Sequence, residues 1–239
     1  MQDKFENKTA IIFGGSSGIG FEIARQLNSS GAKVYIASRN PPSDHLVVDY
    51  LNCDVREEQQ IKSTIKRVVE QTGAVDILVN SMGIAGTDKV ENISLSEWQE
   101  VIDTNLTGTF LTCREVIPIM KNKQYGKIVN IASIAGRFRS KISGAHYVAS
   151  KAAIIGFTRQ LAYELIPHGI NVNAVCPSQT MTPMLEKTIT REKRKELETQ
   201  IPIGRLSTVG EQASPVLYLC SDDASYLSGA IIDVNGGQF

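Results

Sequence analysis

Tyr147 stands four residues before Lys151 in a run of helix-forming residues, and Ser133 lies fourteen residues upstream of the tyrosine. That spacing puts tyrosine and lysine on one face of a helix. A free phenol has a pKa of about 10, too high for easy proton exchange at neutral pH. An ammonium held beside it favours the phenolate and lowers that value. Such a tyrosine can give a proton to a carbonyl oxygen or take one from an alcohol. A serine hydroxyl nearby can hydrogen-bond the same oxygen and fix its position. A lone Tyr-x-x-x-Lys occurs by chance on many surface helices, so its meaning depends on what the rest of the chain builds around it.

A second constellation lies near the N-terminus. An apolar run, residues 10–13, enters Gly14-Gly15-Ser16-Ser17-Gly18-Ile19-Gly20, after which Ile19, Ile23, Ala24 and Leu27 recur on one helical face until Gly31. Strand, glycine turn and helix are the context a nucleotide-phosphate site requires. The glycines let backbone N–H groups approach a pyrophosphate, and the helix N-terminus favours its charge. The plainer reading is a tight turn between strand and helix. With Gly14, Gly18, Gly20, Ser16 and Ser17 in that context, cofactor binding is the stronger one.

These residues must be positioned by regular elements. Strand-like runs at 8–14, 33–38, 47–52, 75–80, 126–132, 170–176 and 230–234 alternate with helical patterns at 18–30, 56–71, 95–121, 146–167 and 210–221. That alternation predicts an α/β fold, a Rossmann-type doubly wound parallel sheet between two helical layers, with residues 1–239 as a single domain. Arg39-Asn-Pro-Pro-Ser-Asp predicts a loop between the second and third strands. Residues 184–200 read as a charged, exposed helix.

Twenty-five basic and 25 acidic residues balance to zero net charge, so neither a nucleic-acid footprint nor a polybasic membrane patch is expected. The N-terminus is polar, without a signal-peptide core, and no apolar run approaches a membrane span. Cys53, Cys113, Cys176 and Cys220 form no Cys-x-x-Cys pair and read as reduced thiols of a cytoplasmic protein. His45, His146 and His168 show no metal-ligand spacing, so no metal is expected. His146, although it precedes Tyr147, reads as a helix-start residue.

Gly-x-x-x-Gly-x-Gly together with Tyr-x-x-x-Lys resembles the classical short-chain dehydrogenase/reductase family, and the resemblance covers almost the whole chain. Further stretches match in order: Asp54-Val55, Asn80-Ser81-Met82-Gly83, Asn105-Leu106, Ile128 through Ser133, Pro177 through Thr182, and Tyr226 through Gly237. The resemblance implies Tyr147, Lys151, Ser133 and Asn105 as a catalytic set. It implies Asp54 and Val55 at the adenine, and Asn80, Gly83 and Thr182 positioning the cofactor. Tyr147 and Lys151 would also touch the cofactor, Lys151 through the nicotinamide ribose. It further implies reversible hydride transfer to a small carbonyl or alcohol substrate, a homo-oligomer (tetramer or dimer), and a lid over the substrate at 184–200. The outer faces of 95–121 and 146–167 are where the family assembles. Ile154, Ile155, Phe157 and Leu161 suit that role or ordinary packing on the sheet.

Cofactor choice is set at the end of strand two. An acidic residue there binds the ribose 2′-OH of NAD. This chain has Ser38 and then Arg39, which can hydrogen-bond and grip a 2′-phosphate. NADP(H) is expected over NAD(H), with NAD(H) possible.

Several positions depart from the family pattern. Phe13 and Met82 replace a threonine and an alanine, and predict an apolar contact in place of a hydrogen bond. Ser178 replaces a glycine. Arg137 and Arg139 lie in the substrate-lining interval, where they read either as partners for an anionic or polar substrate or as surface charges. A 3-oxoacyl carrier-protein reductase is an alternative. Such enzymes dock their acidic partner with arginines where this chain has Gln124 and His168, with Lys123 nearby. A non-enzymatic NADP-binding sensor is the alternative of another class, disfavoured because the catalytic set is intact.

Overall fold

The computed structural model describes residues 4–42, 48–182, 185 and 190–238. In chain order the elements are β1 (Thr9–Phe13), α1 (Gly18–Ser29), β2 (Lys33–Ser38), β3 (Asp49–Asn52), α2 (Glu58–Thr72), β4 (Ile77–Asn80), α3 (Leu95–Ile102), α4 (Gly108–Lys123), β5 (Gly126–Ile131), α5 (Ile134–Arg137), α6 (Ala145–Leu165), β6 (Ile170–Pro177), β7 (Thr180–Met181), α7 (Arg191–Glu198), β8 (Ser207–Thr208), α8 (Val209–Cys220) and β9 (Ile231–Val234). Seven strands form one parallel sheet in the order β3-β2-β1-β4-β5-β6-β9, and β7 and β8 make a small second pair.

The strands are apolar on both faces because both are covered. Along β1, Ala10 and Ile12 join Ile23 and Leu27 of α1 and Val216 and Leu219 of α8, while Ile11 and Phe13 join residues of α2, α4 and α6. This is the expected doubly wound, three-layer arrangement. Ile154, Ile155 and Leu161 are buried within it, so their role is packing inside the chain. Phe13 and Met82 fall in the same buried cluster, and the Phe13 carbonyl accepts from the Ser81 N–H at 2.8 Å, so the two segments run side by side.

Helix boundaries follow local chemistry. Ser94 caps α3 by accepting from the Glu97 N–H, and Thr208 with Glu211 closes a reciprocal capping box on α8. The predicted 95–121 helix is not continuous. A wider π turn at Asp103–Thr107 separates α3 from α4, and such insertions re-aim side chains at functional sites. Part of the charged helix expected at 184–200 is observed as α7, with Leu197 its buried anchor; residues 184 and 186–189 of the segment expected to form a lid lie outside the described residues. So do residues 43–47 of the predicted loop and strand start, while Pro41 and Pro42 are irregular, as the prolines dictate.

From β1 the chain runs outward to β2 and β3, then returns to β4 on the other side. Such a reversal leaves a crevice at the carboxyl ends of the strands, where α/β sheets bind ligands.

Candidate active site

A crevice of roughly 600 Å³ opens at those strand ends, lined by the glycine turn, the ends of β2 and β5, the segments after β3 and β4, and the start of the segment after β6. Gly14, Ser16, Ser17, Ile19, Gly20, Ser38, Arg39, Asp54, Val55, Gly83, Ser133, Tyr147, Lys151 and Thr182 all reach it. Gly18 sits at its edge, opposite Thr182. A Cβ added at Gly14 would lie 2.5 Å from the Met82 nitrogen, and Gly14 has φ +79°, so only glycine fits that turn. A glycine turn ahead of the N-terminus of α1, with Lys151 and Arg39 on the same walls, fits a dinucleotide and its phosphates.

Two expected residues face elsewhere. The Asn80 side chain points into the core, where it donates to Asn130 Oδ1 (2.9 Å) and accepts from Thr112 Oγ1 (2.8 Å). Asn130 in turn donates to Thr158 (2.9 Å). Asn80 therefore ties β4 to β5, α4 and α6 instead of lining the crevice, because a buried amide must find partners. The Asn105 side chain is likewise spent: it bonds both the N–H and the carbonyl of Ile84 (2.8 and 2.9 Å) and the Ser150 hydroxyl (3.0 Å). It clamps the β4 segment to α6. A Cβ at Gly83 would lie 3.3 Å from Lys151 Nζ and 3.5 Å from Asn105 Oδ1, so the bare glycine lets both groups close around it.

Ser133, Tyr147 and Lys151 converge at one end of the crevice. Ser133 caps α5 by accepting from the Ala135 N–H (3.1 Å), and its hydroxyl lies beside Tyr147, whose pKa it lowers. Lys151 Nζ lies 5.8 Å from the Tyr147 ring centre and donates to the Ile131 carbonyl (2.8 Å). The electrostatics differ from the sequence expectation. Burial pushes the Tyr147 hydroxyl up, opposed by the Ser133 hydroxyl and not by Lys151. Burial also pushes Lys151 down, from its ordinary 10.5 to about 8. A fully enclosed ammonium loses its own hydration before it can stabilise a neighbour.

Ser133 and Tyr147 also line a second cavity of roughly 350 Å³, on the side of the α7 helix. Together with Pro177 and Ser178 they form the wall the two cavities share. Ser178 lies outside the left-handed region, so serine replaces glycine there without backbone strain. His146 is buried beside Glu97 (3.0 Å) and links α6 to α3, in line with a helix-start role.

The sequence reading missed the brace beneath the β2 turn. The Tyr50 hydroxyl donates to the Ser38 carbonyl (3.0 Å), Asn52 Nδ2 donates to the Arg39 carbonyl (2.8 Å) and to the Tyr50 hydroxyl (3.1 Å), and the Ser38 hydroxyl donates to the Asn40 carbonyl (2.8 Å). Their alternation on β3 gave no signal without the pairing of β3 to β2. Asp54 is held below the usual carboxylate range by Arg56, which grips both its oxygens. All four cysteines are free and buried. Among the described residues there is no cluster able to hold a metal, and no helix is long and apolar enough to cross a membrane.

Residues 14–238 match the family model described as enoyl-(acyl carrier protein) reductase. The chain is 35% identical over 250 residues to a 3-oxoacyl-[acyl-carrier-protein] reductase of Aquifex aeolicus, covering all of both chains. It is 34% identical over 253 residues to a D-beta-hydroxybutyrate dehydrogenase of Rhizobium meliloti, covering 96% of this chain and 98% of that one. The solved structure of Thermoplasma acidophilum aldohexose dehydrogenase superposes with a TM-score of 0.94 at 32% identity, over 100% of this chain and 96% of that one. With the glycine turn, the crevice and the Ser133–Tyr147–Lys151 wall in place, these likenesses settle the lineage: the chain belongs to the short-chain dehydrogenase/reductase family of NAD(P)-dependent oxidoreductases acting on CH–OH and C=O groups.

Proposed function

We propose that this enzyme is an NADP(H)-dependent carbonyl reductase, or alcohol dehydrogenase in reverse, acting on a small ketone or secondary alcohol. The observation that carries the reading is the shared wall: Ser133 and Tyr147 face both the crevice and the second cavity. A carbonyl in the second cavity would meet both hydroxyls at its oxygen and the crevice at its carbon. The nicotinamide, when bound, supplies or accepts the hydride.

The chain's own residues do the rest. Tyr147 gives its proton to the carbonyl oxygen during reduction and recovers one in the reverse direction. Ser133 orients the same oxygen and shares its developing charge. Lys151 holds the nicotinamide ribose and, with a pKa near 8, is suited to pass protons near neutral pH. Asn105 fixes the β4 segment against α6 and so holds Gly83 and Lys151 in register. The glycine turn takes the pyrophosphate, and Arg39 takes the 2′-phosphate, joined by the Ser38 hydroxyl when it turns from the Asn40 carbonyl. Among the described residues, no carboxylate follows β2 in the crevice wall to repel that phosphate before Asp54, which Arg56 neutralises. The outer faces of α4 and α6 support a homo-oligomer, since Phe110 and Tyr163 stand exposed there.

A second reading is a 3-oxoacyl carrier-protein reductase, supported by the relatives of that name at 35% identity over the whole chain. Against it stands the docking surface. Lys123, beside Gln124 in the sequence, is paired with buried Asp76.

The test is NADPH oxidation against a panel of cyclic, aromatic and aliphatic ketones and a 3-oxoacyl thioester, with Tyr147→Phe as control. Turnover of a free ketone that vanishes in the variant supports the reading. Turnover of the thioester alone transfers the enzyme to the second reading.

A further inference from the structure

We propose that the substrate is an oxo acid, or the matching hydroxy acid, whose carboxylate is received by Arg139 and Lys141 while its carbonyl lies at Ser133 and Tyr147. The proposal rests on the reductase reading above and names the substrate class of that same site.

The two cavities differ in charge. The crevice wall carries both signs, Asp54 as well as Arg39 and Lys151. The second cavity is lined by two cations, Arg139 and Lys141, and by no Asp or Glu among the described residues. Its other polar walls are neutral hydroxyls and amides, such as Ser143, Gln179 and Gln200. A partly enclosed site lined by one sign of charge concentrates ligands of the opposite sign.

The two arginines of this interval, which the sequence left equivalent, are separated by the structure. Arg137 turns away and pairs with Asp233, its Nε 3.1 and 3.2 Å from the two carboxylate oxygens. Arg139 reaches the cavity and, like Lys141, pairs with no described acidic group.

The turn that carries the two cations is held in place. The Ser140 hydroxyl accepts from the N–H groups of Ile142 (3.2 Å) and Ser143 (2.8 Å), and the Gly144 N–H donates to the Gly86 carbonyl (2.7 Å). A guanidinium presents a planar fork that matches a carboxylate, and an ammonium adds a second point of attraction. Both cations stay solvated at the cavity mouth, so the effect falls on substrate capture, and KM is where it is read.

The test uses the whole enzyme and NADPH with short oxo acids, the keto group alpha, beta or gamma to the carboxylate, each beside its neutral methyl ester. For at least one pair the acid is expected to exceed the ester in kcat/KM by about tenfold, the size of one charge-assisted hydrogen bond. In Arg139→Gln/Lys141→Gln that ratio collapses toward unity, mainly through KM. Rising salt raises the KM of the acid more than that of the ester. Circular dichroism and Tyr147-dependent turnover show that the double variant is folded. Esters used as well as their acids, or an acid preference that survives in the double variant, would overturn the assignment. No turnover with any acid or ester, while a neutral ketone of the panel above is reduced, overturns this assignment and leaves the reductase reading standing; no turnover with that panel either overturns both.

Discussion

The crevice and the second cavity meet at one wall yet are built on opposite principles. The crevice is made from strand ends and a glycine turn, fixed by backbone pairing and by buried side chains such as Asn80, Asn105 and Lys151. The second cavity is made from the 134–143 turn, the segment after β6 and the region of α7, where Arg139, Lys141 and Ile142 are exposed. The chemistry shared by a family sits in the over-determined half. The half proposed to receive the substrate hangs on loops, which a rigid scaffold can vary without unfolding.

The sharpest way to break this comparison is at the wall. Tyr147→Phe should lower kcat by about 10³-fold, within the range for loss of a general acid, while cofactor affinity measured by fluorescence titration changes little. A variant that keeps turnover would remove the tyrosine from its role.

Lys151 tests whether the crevice half sacrifices stability for function. Its folded pKa of about 8 lies below the ordinary 10.5, so between those values the unfolded chain binds a proton that the folded one does not. Stability therefore rises with pH from about 8 toward 10.5 and carries the full penalty below 8, about 3 kcal/mol for a shift of that size. Lys151→Met should lose activity yet melt at a higher temperature than the parent at pH 7, with the gap narrowing by pH 10. Melting at a lower temperature at pH 7 would show that the Ile131 hydrogen bond outweighs the burial of charge.

At the rim of the crevice, Arg39→Ala should cut the NADPH-over-NADH ratio of kcat/KM by about tenfold, the worth of one charge-assisted contact. An unchanged ratio would assign the preference to Ser38 alone or to neither. The smallest effect belongs to the brace. Asn52→Ala frees the Arg39 carbonyl and should move the same ratio by about threefold through the KM for NADPH, a fraction of one hydrogen bond, with Asn52→Asp failing to restore it. A fall in kcat for both cofactors alike would make Asn52 structural instead.

Much of this was legible in one dimension. The sheet, its helices, the glycine turn and the Tyr147–Lys151 pair follow from local spacing, because a strand repeats every two residues, a helix every three to four, and glycine marks where backbone must pass close. The π turn at 103–107 was not legible: it depends on how α3 and α4 pack around Asn105, and a helical pattern runs straight through it. Nor was the inward turn of Asn80, since an asparagine at a strand end offers the same sequence whether it meets a ligand or Asn130.

What the sequence determined by itself is therefore the fold, which rests on periodicity and short-range spacing, and, through the resemblance its motifs carry, the family. What only the tertiary structure decided is where residues equivalent in sequence are placed. It sent Arg137 to Asp233 and Arg139 to the second cavity, braced Arg39 from β3, and lowered the pKa of Lys151 by burying it. Those outcomes depend on partners distant in sequence and on exclusion of water, and neither is encoded in the spacing of neighbours along the chain.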